Sequence, residues 1–250
     1  MKSKFLNAKY ALRSLISELT HRDSKPPDRQ IYFVHIPKTA GTTFLRVLYE
    51  SEPHHLIYPN AFEHSIRNGG RYLLPQELMK KEGIRQELAR KKWIVGHFSY
   101  GHIMNLGGDP QMLTFLRDPF DRTISEIVHL KTHHKNYQNM SIGEIVKHRH
   151  KVLGCRSAIA FGYHPTLNNV EKALEHLQAC TFIGLTERFS DSLKKCNKIL
   201  GTNLKVTSRH NEGSKSLIRD VTRDHEDEIR SLIKIDQRFY EEGKKIFETY

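Results

Sequence analysis

The residues best suited to chemistry stand in one short loop, IPKTAGTT, at residues 36–43. The apolar run IYFVH at 31–35 is typical of a buried strand, and a helical pattern begins after the loop, near Gly41. A helix N-terminus offers unpaired N–H groups and partial positive charge, which together bind phosphate. Lys38 adds a mobile cation, glycine permits close backbone approach, and the threonines add hydroxyl donors. The predicted phosphate-binding residues are Lys38, Thr39, Ala40, Gly41, Thr42 and Thr43.

This loop differs from the P-loop of kinases and nucleotide triphosphatases. Their motif, GxxxxGK[ST], places the lysine directly after the second glycine, whereas Lys38 comes before the single glycine of this loop. Phosphoryl transfer would also require Mg²⁺ ligands in a matching loop. These differences argue against a P-loop-type kinase, which is kept as an alternative hypothesis. A non-catalytic protein that binds a nucleotide or a polyanion is another.

A second block, RDPFDRTIS at residues 117–125, has the features of another phosphate site. The strand-like run MLTFL precedes it, and Asp118 followed by Pro119 is typical of a helix start. Asp118, Arg122 and Ser125 share one helix face by their spacing. An arginine fork and a hydroxyl can hold one phosphate jointly. Arg122 either binds phosphate or substrate, or pairs with Asp118 or Glu126.

Together the two blocks resemble the cofactor motifs of sulfotransferases that use 3′-phosphoadenosine-5′-phosphosulfate (PAPS). The similarity is greatest to the branch with the heparan sulfate 2-O and 6-O sulfotransferases and bacterial relatives. IPKTAGTTF resembles the 5′-phosphosulfate loop, and TFLRDPFDRTISE, residues 114–126, resembles the 3′-phosphate motif. The resemblance implies that Arg117 and Ser125 bind the 3′-phosphate. A third segment, RHNEGSK at 209–215, resembles the late loop over the cofactor and implies phosphate contacts from Arg209 and Lys215.

The resemblance also implies a reaction. A sulfuryl group moves from PAPS to a hydroxyl by in-line displacement, leaving 3′-phosphoadenosine-5′-phosphate (PAP), with no metal required. The implied acceptor is a carbohydrate, an oligo- or polysaccharide, and the implied fold is a single P-loop-like α/β domain. Alternating short apolar strands and helices independently predict a mostly parallel sheet flanked by helices. The predicted strands cover 31–35, 93–96, 112–116 and 181–185.

Such a displacement calls for a base that removes the acceptor proton, and His97 is the predicted base. It follows the strand WIVG, so it should lie at the carboxyl end of the sheet, where open α/β sheets bind ligands. Histidine has a suitable pKa for this task. WIVGHFSYGH also resembles the Gly-His segment that carries the base in the 2-O branch. His102 is the alternative base or a substrate contact.

The remaining histidines predict no metal site. His129 and His133 have the i, i+4 spacing of a metal pair, but no third ligand completes it. The segment KHRHK at 147–151 is better interpreted as a basic surface that is solvated or faces substrate.

Bulk properties limit the partners and the compartment. The chain has 250 residues and a formal net charge of +12, which favours anionic partners; given the resemblance, we expect an acidic glycan rather than nucleic acid. The three cysteines fit no metal or CxxC pattern and are predicted to be buried free thiols. No signal peptide or membrane anchor is evident, which predicts a bacterial-type cytoplasmic enzyme.

The predicted organisation is an N-terminal helix and linker at 1–28 and a sulfotransferase domain at 29–250. Apolar residues of the first helix at positions 5, 12, 15, 16 and 19 would form one side of that helix. We expect this side to pack on the domain, with peripheral membrane contact as the alternative.

Overall fold

A computed structural model describes residues 2–21, 25–67, 72–107, 109–205 and 215–250. The strands in this part of the chain are β1 (Ile31–Val34), β2 (Ile57–Tyr58), β3 (Trp93–Gly96), β4 (Gln111–Leu116) and β5 (Phe182–Leu185). The α-helices are α1 (Lys2–Thr20), α2 (Gly41–Ser51), α3 (Pro75–Leu78), α4 (Ile84–Ala89), α5 (Tyr100–Met104), α6 (Pro119–His133), α7 (Lys135–Gln138), α8 (Ile142–Leu153), α9 (Arg156–Ala160), α10 (Val170–Gln178), α11 (Phe189–Leu200), α12 (Lys215–Leu232) and α13 (Lys234–Glu248).

All described strand pairs are parallel, and the sheet order is β2-β3-β1-β4-β5. The α/β prediction with a central parallel sheet flanked by helices is therefore confirmed. From β1 the chain runs to β2 and β3 on one side of it and then crosses to β4 and β5 on the other side, so the strand order reverses at β1. Its last residue, Val34, is level with Gly96 of β3 and Thr114 of β4. Loops after these three strands therefore meet at one edge, which is where such sheets bind ligands.

Large apolar side chains fix the sheet against its helices. Phe33, Phe44, Trp93 and Phe115 are fully buried, and the rings of Phe33 and Phe44 are 4.8 Å apart. Burial of one such side chain contributes about 1.5–3 kcal/mol. The phosphate loop thus joins two rigid elements, since Phe33 belongs to β1 and Phe44 to α2.

A second apolar cluster joins α6, α8 and α12. It includes the fully buried residues Ile127, Ile145, Val221 and Ile229. Helix α8 follows a capping box, in which Ser141 and Glu144 satisfy each other's backbone N–H groups. The sequence analysis did not predict α8, although this signal was present.

Strand β2 was not predicted, and its two residues are too few for a periodic pattern. The charged helical pattern over 75–92, which Gly83 interrupts in the sequence, forms the pair α3 and α4. Gly83 separates them in a left-handed conformation, with φ of 71°, which glycine adopts without steric cost.

The three cysteines, Cys155, Cys180 and Cys196, are buried free thiols, as predicted. Among the described helices, none has both the length and the apolar composition needed to cross a bilayer. The division of the chain at residue 28 stays a prediction.

Candidate active site

Three loops at the carboxyl edge of the sheet carry the predicted site residues. Lys38 follows β1, His97 follows β3 and Arg117 follows β4. Because β1 lies between the other two strands, its loop stands between His97 and Arg117. The parallel topology therefore brings together residues that are far apart in the sequence.

The phosphate loop has an unusual backbone. Lys38 and Ala40 both adopt the left-handed region, with φ of 71° and 62°. Non-glycine residues adopt it at a cost, and they do so most often at functional sites. The hydrogen-bond ladder of α2 begins with the N–H of Phe44 donating to the carbonyl of Ala40, 2.9 Å away. Ala40 supplies no side-chain cap, so the first amides of α2 are suited to an anionic ligand.

Gly41 is needed for a reason that the sequence did not reveal. A Cβ atom built on Gly41 would lie 1.9 Å from Nε2 of His35. Close approach of a ligand to Gly41 stays a prediction, and the structure adds that the missing Cβ makes room for the imidazole directly after β1. His35 is buried, so the ring has little room to move.

The loop threonines differ from one another. The Thr39 hydroxyl is fully buried and donates to the Ile36 carbonyl, 2.9 Å away. The prediction that this hydroxyl donates to a phosphate is therefore wrong, and it stabilises the loop instead. Thr42 is exposed and Thr43 is half-buried at the start of α2, so both stay available to a ligand.

Lys38 and Arg117 join the two predicted phosphate sites. Nη1 of Arg117 donates to the Lys38 carbonyl at 3.3 Å. Burial, together with repulsion from Arg117, lowers the pKa of Lys38, and the attraction of Glu126 opposes that shift only in part. Two cations held this close favour an anion between them. The donor set of cations, hydroxyls and helix amides therefore fits a phosphorylated nucleotide.

Helix α6 begins as predicted. The Asp118 carboxylate accepts hydrogen bonds from the N–H groups of Phe120 and Asp121, and Pro119 occupies the first turn. Ser125 is half-buried two turns later. It shares a helix face with His129, whose pKa is lowered to about 4 by burial first and then by the charge of Lys38. Lys38 therefore acts electrostatically on His129, one turn after Ser125.

Arg122 cannot contact substrate, which corrects one of the alternatives predicted for it. Its side chain is 0% exposed, and its Nη1 donates to Glu126 at 2.6 Å. Its Nε also lies 3.7 Å from the buried carboxylate of Asp236. Asp236 in turn accepts from the N–H groups of Ser157 and Ala158. Of the alternatives considered for Arg122, pairing with Glu126 is the one that the structure supports.

His97 is half-buried and tightly held. Its Nδ1 lies 2.9 Å from the carbonyl oxygen of His35. A carbonyl oxygen only accepts hydrogen bonds, so Nδ1 carries the proton and Nε2 keeps its lone pair. Its ring stacks on that of His35 and lies edge-on to Tyr72, with centroids 4.5 and 5.2 Å away. Burial, and secondarily repulsion from Arg156, lowers the pKa of His97, which favours the neutral ring.

The other predicted contacts have less support. His102 is exposed, and its Nδ1 lies 2.7 Å from the Ser99 hydroxyl, within the turn that starts α5. Arg209 lies outside the described residues. Lys215 begins α12, but its side chain also lies outside the described part.

Sequence analysis missed two arginines beside this site. Among the described groups that shift the pKa of Lys38, Glu126 is the only anion. Arg149 and Arg156 approach the same carboxylate to 3.9 and 4.0 Å, and the charge of Arg156 reaches His97. The basic segment 147–151 gave the signal for Arg149, but nothing in the sequence showed that Arg156 faces the same place.

The histidines of α6 form a ring cluster. The ring of His129 lies 4.9 Å from that of His133 and 5.4 Å from that of His134. Within the described part of the chain, no group of three or more potential ligands is arranged to hold a metal ion.

These features define a class: an α/β enzyme with a nucleotide-phosphate loop at the centre of a parallel sheet. Residues 25–242 match the profile of the Sulfotransferase family. The chain belongs to the sulfotransferase family, and it is a PAPS-dependent sulfotransferase, as the sequence predicted. The family assignment favours sulfuryl transfer over the phosphoryl-transfer and non-catalytic alternatives.

Comparison with solved structures gives distant relatives. A sulfotransferase from Alicyclobacillus acidocaldarius is 19% identical, with a TM-score of 0.48, covering 83% of this chain and 96% of that one. Mouse sulfotransferase SULT7A1 complexed with PAP is 18% identical, with a TM-score of 0.44, covering 84% of this chain and 71% of that one. No curated protein sequence matches the chain significantly.

Proposed function

We propose that this sulfotransferase sulfates a hydroxyl of an acidic carbohydrate, with His97 as the general base. The observation that carries the proposal is a half-buried histidine at the carboxyl edge of the sheet, which is held by the residue that precedes the phosphate loop and is influenced by the charge of Arg156. The loop supplies the donor side of the reaction, and Arg149 and Arg156 supply an acceptor side.

His97 has the properties of a base that accepts one proton at a defined atom. The hydrogen bond from Nδ1 to the His35 carbonyl leaves Nε2 as the acceptor atom. Stacking against His35 and the edge of Tyr72 restricts rotation of the ring. A base positioned in this way contributes about 10²–10⁴-fold to a reaction rate.

Lys38 and the first amides of α2 would hold the 5′-phosphosulfate. Lys38 would also neutralise the charge that grows on the departing phosphate oxygen. Arg117 and Ser125 would bind the 3′-phosphate, and Arg117 would also stabilise the loop through the Lys38 carbonyl. Fixing both ends of the nucleotide aligns the sulfur for in-line attack.

Arg149 and Arg156 support an anionic acceptor. Their side chains are 28% and 29% exposed, and they share a single carboxylate, that of Glu126, which already pairs with Arg122. A carboxylate or sulfate group on the acceptor would pair with these part-exposed side chains. Since Arg156 acts electrostatically on His97, such a group would lie near the attacking hydroxyl.

The test is a screen of acceptors with isotopically labelled PAPS, read by mass spectrometry. The panel contains uronic-acid oligosaccharides, neutral oligosaccharides of equal length, a tyrosine peptide and a simple phenol. We expect labelled sulfate on the acidic oligosaccharides, and omission of divalent metal or addition of EDTA should not change the rate. Preferential labelling of neutral sugars, the peptide or the phenol would contradict the proposed acceptor.

A further inference from the structure

Helix α1 presents an apolar stripe to solvent. Leu12, Leu15, Ile16 and Leu19 are 60, 44, 53 and 69% exposed. Their spacing of i, i+3, i+4 and i+7 places them on one face of the helix. The expectation that this face packs on the domain is therefore wrong.

The opposite face of α1 attaches the helix to the domain. Tyr10 and Ser14 are buried there. The Ser14 hydroxyl lies 2.7 Å from Nδ1 of His54 and accepts from the N–H of Ala61 at 3.1 Å. The next turn continues the contact, with the Ser17 hydroxyl 3.0 Å from Nδ1 of His55. These polar contacts fix the orientation of α1, and its apolar stripe is consequently turned to solvent.

The charges beside the stripe are of one sign. Among the described side chains of α1, the exposed charged ones are Lys9 and Arg13, both cationic. The acidic residue Glu18 is turned towards the domain, where it pairs with Lys91. An apolar stripe with cations beside it is complementary to an anionic lipid surface.

We propose that α1 docks the enzyme on an anionic membrane surface. The stripe enters the boundary between headgroups and acyl chains, while Lys9 and Arg13 contact anionic headgroups. A second copy of the chain is a poorer occupant of the stripe. Two-fold pairing of two α1 helices would bring their cations together, and among the described side chains of the exposed face there is no acidic residue to oppose them.

Vesicle co-sedimentation of the full chain tests this proposal. The probes are phosphatidylcholine vesicles, with or without about 30% phosphatidylserine, whose negative surface potential attracts cations. Leu12→Gln/Leu19→Gln removes two residues of the stripe. The matched control, Leu74→Gln/Leu167→Gln, removes two exposed leucines elsewhere. We expect the wild type and the control to bind the anionic vesicles, and the stripe variant to bind at least about tenfold more weakly.

Charge gives a second comparison. Lys9→Gln/Arg13→Gln should lose binding to the anionic vesicles by about tenfold, since each cation near such a surface contributes to attraction. Thermal unfolding of all variants checks that the fold is retained. The proposal fails if the wild type does not bind anionic vesicles, or if the stripe variant binds them with the same affinity as the wild type. It also fails if sedimentation equilibrium shows a dimer that the stripe variant dissociates.

Discussion

The His97 imidazole stacks on that of His35 at 4.5 Å, and its Nδ1 lies 2.9 Å from the His35 carbonyl oxygen. His35 also fills the space in which Gly41 would otherwise carry a side chain. One residue at the end of β1 therefore contacts both the candidate base and the phosphate loop. A substitution at Gly41 should therefore affect both the candidate base and the phosphate loop.

Gly41→Ala should impair both PAP binding and turnover. Its Cβ would lie 1.9 Å from Nε2 of His35, so the ring or the loop must shift. Calorimetry with PAP and a turnover assay measure the two effects. His35→Ala/Gly41→Ala removes the obstructing ring and should recover PAP affinity relative to Gly41→Ala alone. If the single variant binds PAP normally, the close contact is not a constraint on the loop.

His97→Ala and Lys38→Ala should separate two roles. His97→Ala should reduce single-turnover transfer by about 10²–10⁴-fold and leave PAP affinity nearly unchanged. Lys38→Ala should weaken nucleotide binding and also slow transfer, because the Lys38 cation interacts with negative charge on the cofactor in both the ground state and the transition state. Normal transfer in His97→Ala, with loss in His102→Ala, would move the base to His102.

The pH dependence of transfer should report the environment of His97. Burial lowers the pKa of His97 below 6.5, so this base loses its proton at a lower pH than a free imidazole does. We therefore expect kcat/KM to reach its plateau at that lower pH. Arg156→Gln removes a repulsive charge, which should raise the pKa of His97 and move the acidic limb to higher pH. Arg149→Gln is the matched control, since Arg149 is not among the groups that shift His97. An acidic limb that does not respond to Arg156→Gln would argue against His97 as the titrating base.

The protein should bind PAP more tightly than adenosine 5′-phosphate, and Arg117→Ala should remove most of that preference. The expected loss is about 1.5–3 kcal/mol, which is typical of hydrogen bonds to a charged group. Calorimetry with both nucleotides measures it. Equal affinities in the wild type would exclude Arg117 and Ser125 from a 3′-phosphate site.

Arg122→Ala should act on stability rather than on recognition. It would leave the buried carboxylate of Asp236 without the cation beside it and remove the hydrogen-bonded partner of Glu126. Breaking a buried ion pair on one side costs about 3–5 kcal/mol. Denaturant unfolding measures this loss, and the half-buried Arg117 provides the comparison, since Arg117→Ala should unfold close to the wild-type midpoint. A stable Arg122→Ala protein would contradict the structural role.

Local sequence signals predicted much of the fold. The apolar runs at 31–35 and 112–116, and the Asp118–Pro119 helix start, all correspond to elements of the structure. The sequence could not reveal β2, whose two residues carry no periodicity. Long-range contacts were also hidden. Nothing local to Arg122 indicates that its second acidic partner lies on α13.

That contact has a consequence for synthesis of the chain. Asp236 on α13 accepts from the start of α9 and faces Arg122 of α6, so the three elements complete one another. Until α13 has left the ribosome, Arg122 lacks one of its two acidic partners and the amides of Ser157 and Ala158 lack their acceptor. We therefore expect this part of the nascent chain to reach its native packing only after α13 has emerged, rather than strand by strand as the sheet residues appear.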